Sequence, residues 1–96
     1  MKNNQQAPLF ELRQVVATPS AIDALQQAGV SANTLLIRHH CGDWGDLCDE
    51  DIAINNDALT GGSRLFSAYQ VTDILKVWVI TEADRSVITL LLPEDY

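Results

Sequence analysis

At 96 residues, with 47% hydrophobic and 20% charged residues, the chain has the make-up of one folded domain, which excludes a disordered tail. Thirteen acidic residues against six basic ones give a net charge of -7. That balance disfavours direct nucleic-acid binding, because gripping phosphates takes Lys and Arg.

In chain order, residues 1–8 are amide-rich, carry no signal-peptide core and are expected to be disordered; residues 9–96 form a single domain. No apolar run approaches a membrane span, so a cytoplasmic protein with no membrane contact is expected. Phe10, Leu12, Val15 and Val16 mark residues 9–17 as a short strand that could join a later sheet. Thr18 and Pro19 then begin a helix, Thr as its cap and Pro where no hydrogen bond is lost. Ile22, Leu25 and Ala28 follow at helical spacing, and Gly29 is placed to end the helix in a left-handed cap. Ser31 caps a second helix over 32–41, with Leu35 and Leu36 on its apolar side and His39 and His40 in its last turn, where they would complement the helix dipole. The run Gly42-Asp43-Trp44-Gly45 reverses the chain, anchored by Trp44. Residues 46–59 give a third helix: Cys48, Ile52, Asn55 and Leu59 share a face, acids crowd its start, and Gly61-Gly62 ends it.

Residues 63–93 carry most of the strand signal. Three apolar segments, 64–71, 75–81 and 86–92, are separated by short polar interruptions and read as an antiparallel meander. Alternation puts Val77, Val79 and Thr81 on one face and Lys76, Trp78, Ile80 and Glu82 on the other, so both faces are apolar. Either the N-terminal half covers both, or one is left for a second molecule. The fold class is therefore α+β: a short N-terminal strand, three helices, then a three-stranded meander.

Two clusters invite chemistry. His39, His40, Cys41, Asp43, Asp46 and Cys48 are ligand types, but paired zinc-site spacings are missing and the acidic run lacks a calcium-loop pattern, so no metal and no cofactor is expected. His39 with Arg64, Tyr69 and Arg85 could perform acid/base work on a phosphodiester, the guanidinium groups steadying negative charge. The simpler reading is a hairpin pinned by an ion pair from Arg85 to Glu82 or Asp84.

Several runs resemble the small "plasmid-related" proteins of bacterial plasmids and integrative conjugative elements: Val15-Val16-Ala17-Thr18-Pro19, Arg38-His39, Gly42-Asp43-Trp44-Gly45, Arg64, Ser67, Tyr69, Trp78, residues 80–86, Thr89, Leu91-Leu92-Pro93 and Tyr96. The resemblance implies a mobile-element setting and no particular reaction. Joined to the acidic balance, it leads to the expectation of a non-catalytic accessory protein. Such a protein would bind a basic protein of the host or the element, inhibition of a host defence or DNA-processing protein being one role open to it, and could do so as a homodimer. Trp44, Trp78, Glu82, Asp84 and Arg85 are the expected contact residues. The alternative is a small ribonuclease or toxin-like enzyme, since helices leading into an antiparallel sheet resemble the barnase, EndoU and colicin-type fold.

Overall fold

A computed structural model describes residues 13–96; the expected disordered stretch 1–8 and the first part of the expected strand, 9–12, lie outside the described residues. The elements are β1 (Gln14–Ala17), α1 (Pro19–Ala28), α2 (Ala32–His40), α3 (Asp49–Gly61), β2 (Leu65–Gln70), β3 (Lys76–Thr81) and β4 (Val87–Leu91), followed by a single 3-10 turn, Pro93–Asp95. The class is α+β.

Local chemistry sets the helix ends. The Thr18 hydroxyl accepts from the Ala21 amide at 3.2 Å, with Pro19 in the first turn. Gly29 closes α1 at φ 71°, a left-handed conformation that costs glycine little. The Ser31 hydroxyl caps α2 through the Asn33 amide, and Gly62 ends α3. Helix α3 starts at Asp49, three residues later than the sequence suggests, with Cys48 in the capping position and Asp49, Glu50 and Asp51 in its first turn. Cys41 and Cys48 are not joined by a disulfide.

The strands form one four-stranded sheet in the order β1-β4-β3-β2. Strands β2, β3 and β4 make the expected antiparallel meander. Strand β1 adds to its far side parallel to β4, pairing Val15 with Ile88 and Ala17 with Leu90, so the complete sheet is mixed. A parallel partner needs a long connection, and here the three helices, β2 and β3 all lie between the two strands in the chain.

The helices pack on the face carrying Val77, Val79, Tyr69, Ile88 and Leu90, where Ala21, Leu25, Leu35 and Leu36 complete the main apolar cluster. Ile22 does not join its expected partners: it stays 53% exposed, while Ala21 is fully buried. The small alanine lets α1 approach the sheet, which turns Ile22 outward. A second cluster joins Trp44, Ala58 and Leu65 under α3.

The outer edge of β2 is saturated. Asn55, buried on α3, accepts from the Phe66 amide at 3.0 Å and donates to the Phe66 carbonyl. The Ala68 amide donates to the Trp44 carbonyl, the Asp46 amide to the Ala68 carbonyl, and the Gln70 amide to the Asp46 carboxylate. An open edge recruits other strands; this one is sealed by a helix side chain and by the segment around Gly45.

Candidate functional site

The residues proposed for catalysis separate into buried and engaged groups. His39 lies in the last turn of α2, facing the sheet, and has no exposed surface. Its Nδ1 lies 2.6 Å from the Ser67 hydroxyl on β2, and its Nε2 lies 2.7 Å from the Thr81 hydroxyl on β3. The ring also meets Trp44 of the second apolar cluster edge-on at 5.6 Å. Burial, helped by the nearby His40 and Arg85 charges, pushes its pKa down to about 3. A neutral imidazole cannot complement the helix dipole, which corrects the expectation for His39. Nor can a group without solvent contact exchange protons with a substrate. Burial lowers His40 as well.

Tyr69 is 1% exposed. Its hydroxyl donates to the Asp43 carbonyl at 2.6 Å, and burial raises its pKa further above the usual phenol value. The Arg38 guanidinium lies over its ring at 4.5 Å and forms a two-pronged ion pair with Asp43, with contacts of 2.7 and 3.3 Å. The Arg38 hydrogen bond holds the Asp43 carboxyl below its usual range. This knot fixes the reversal that carries Trp44.

Arg85 is also structural, by a route different from the expected ion pair. It sits at φ 65°, the only non-glycine with positive φ among the described residues. That conformation sends the guanidinium to the Ala58 carbonyl in the last turn of α3 and to the carbonyls of Ser63, Glu82 and Ala83. Cationic charge at a helix C-terminus is favourable. Asp84 turns instead to Ser86, accepting from its amide at 2.9 Å and its hydroxyl at 2.6 Å, and those bonds lower its pKa. Thus His39, Arg64, Tyr69 and Arg85 do not line a common open cleft.

Trp44 is also corrected as a contact residue. It is 4% exposed, and its indole donates to Asn56 at 3.2 Å. Trp78 is placed differently, on the sheet face opposite the helices. Register puts Phe66, Ala68, Trp78, Ile80, Thr89 and Leu91 on that side. Phe66 meets Trp78 edge-on at 5.1 Å, and Trp78 meets Tyr96 at 5.8 Å. Tyr96 is 73% exposed, and its phenol oxygen accepts from Arg64 at 3.1 Å. Rigid aromatics beside an arginine are the residue types that dominate protein interfaces. Glu82 and Asp84, both exposed, line a shallow hollow at the β3–β4 turn.

A separate groove between α1 and the β2–β3 turn is lined by Ala24, Gln27, Ala28, Thr72, Ile74 and Leu75, and contains no ionisable group. Among the described residues no cluster of His, Cys, Asp and Glu could hold a metal ion, and no helix is long and apolar enough to cross a membrane. Comparison of the chain with protein-family models, curated proteins and solved structures finds no match.

The sequence reading missed Tyr96 as a surface residue and the pairing of His39 with Ser67 and Thr81. A signal for the second was present. Ser67 and Thr81 occupy inward positions in otherwise apolar alternation, and a buried hydroxyl requires a partner.

Proposed function

We propose that this chain is an acidic accessory protein of bacterial mobile genetic elements, of the plasmid-related type, working in the cytoplasm by binding another protein. The observation that carries the reading is the aromatic patch of Phe66, Trp78 and Tyr96 on the sheet face away from the helices. Tyr96 is both exposed and held in place, by Trp78 on one side and Arg64 on the other. Binding it therefore costs little side-chain ordering. The net charge of -7 selects a partner with a basic surface, which suits a nucleic-acid-handling protein of the host whose groove the accessory protein would occupy. A hydrolytic role draws no support from the buried, neutral His39.

The test is co-purification of partners from bacterial lysate on immobilised wild-type protein and on Tyr96→Ala, at about 0.05 M and about 0.5 M salt. A basic protein retained at low salt, released at high salt and lost with Tyr96→Ala supports the reading. Capture indifferent to both changes, or no capture at all, counts against it.

A further inference from the structure

The two edges of the sheet are treated oppositely. On β2 the amides of Phe66, Ala68 and Gln70 are all taken, by Asn55, Trp44 and Asp46. On β1 the amides of Gln14 and Thr18 donate inward to the Ser86 and Leu90 carbonyls at 3.3 and 3.0 Å. Strand alternation then turns the amide and carbonyl groups of Val15 and Ala17 outward, and no described strand pairs with them. Natural sheets blunt such an edge with lysine, proline or a bulge. Strand β1 is short and flanked by Arg13 and Pro19, but its four residues, Gln-Val-Val-Ala, contain none of these, and Val15 and Val16 are 42% and 39% exposed.

Independently of the proposed function, we infer that β1 is a homodimerisation edge, pairing antiparallel with β1 of a second copy about a two-fold axis at Val16. The occupant follows from self-complementarity. With Val16 on the axis, Val15 of each copy faces Ala17 of the other, so their outward amides and carbonyls satisfy one another. Gln14 faces Thr18, and the two Val16 side chains meet as a close non-hydrogen-bonded pair. This register matches the strand over its whole length and brings no charged side chain of β1 into opposition, because β1 has none. An isologous contact of this kind closes at two copies and does not propagate. It would join the two four-stranded sheets into one, with both Trp78 side chains on the same side and the two β3 strands roughly 24 Å apart at the usual strand spacing.

The charge of the chain separates this occupant from a foreign strand. Two bodies of net charge -7 repel, so salt tightens the homodimer, whereas contact with a basic partner weakens as salt rises. Sedimentation of the full chain should show a dimer whose dissociation constant falls several-fold between about 0.05 M and about 0.5 M salt. Val16→Lys, which sets two cations face to face across the axis, should leave a folded monomer by circular dichroism, and Ile54→Lys on α3 should leave the dimer intact. Val16→Cys covers the case in which the lysine variant fails to fold: mild oxidation should yield a covalent dimer whose linked peptide joins two copies of residue 16. A wild-type chain that remains monomeric up to about 1 mM overturns the inference. So does a dimer that survives Val16→Lys, or one in which Val16→Cys gives no such linked peptide.

Discussion

The guanidinium of Arg85 donates to the carbonyl of Ala58 at 2.7 Å across 27 residues of sequence, so the β3–β4 turn closes the C-terminal end of α3. Reaching it requires a left-handed backbone at φ 65°, unfavourable for a residue with a Cβ.

Two substitutions separate these opposing effects. Arg85→Ala keeps the backbone strain and removes the guanidinium, and should destabilise the fold by about 2 kcal/mol. Arg85→Gly loses the same bonds but relieves the strain, and should cost about 1 kcal/mol less than Arg85→Ala. Urea unfolding of the three proteins measures this; an equal loss for both variants would show that the backbone carries no strain.

His39 makes the fold acid-sensitive. Its folded pKa of about 3 lies below the ordinary value of 6.5, so the unfolded chain binds the extra proton between those limits. Stability from this group is complete above pH 6.5 and is lost as pH falls toward 3, at up to about 1.4 kcal/mol per pH unit. The lowered Asp43 carboxyl acts in the same direction at the acidic end. In the folded protein the His39 ring protons should show no titration between pH 7.5 and 5 by NMR. A midpoint near 6.5 would place the ring in water and return it to consideration as a proton-transfer group.

What could be read from the sequence followed the range of the interactions. Thr18-Pro19, Gly29, Ser31 and Gly62 act within one helical turn, so their caps were legible from spacing. Alternation in the meander was legible for the same reason. Pairing of β1 with β4 joins residues more than 70 positions apart, and neither strand records its direction or its neighbour. Burial of His39 depends on two hydroxyls from different strands. The motif Gly42-Asp43-Trp44-Gly45 stood out because structure demands it: Asp43 grips Arg38, Trp44 fills a core, and Gly45 lies against the β2 backbone.

Glycine positions provide a matched pair. A Cβ at Gly45 would fall 2.2 Å from the Ala68 carbonyl oxygen, and its φ of 79° already disfavours a side chain. Gly45→Ala should lower stability by about 3 kcal/mol and, by lifting the segment off β2, promote aggregation through the exposed edge. At Gly61, inside the last turn of α3, a Cβ meets nothing within 4 Å. Gly61→Ala should therefore be neutral or raise stability by about 0.5–1 kcal/mol. Thermal unfolding checks both, and a tolerated Gly45→Ala would contradict the sealed-edge arrangement.

If binding is what this chain does, the surface it uses can be mapped residue by residue. The decisive measurement is amide and side-chain NMR of the labelled protein titrated with the partner it captures at low salt. Perturbations should concentrate on Arg64, Phe66, Trp78 and Tyr96 and spare α1 and α2. Shifts centred on the helices, with the Trp78 indole unmoved, would contradict the assignment of the sheet face as the binding surface.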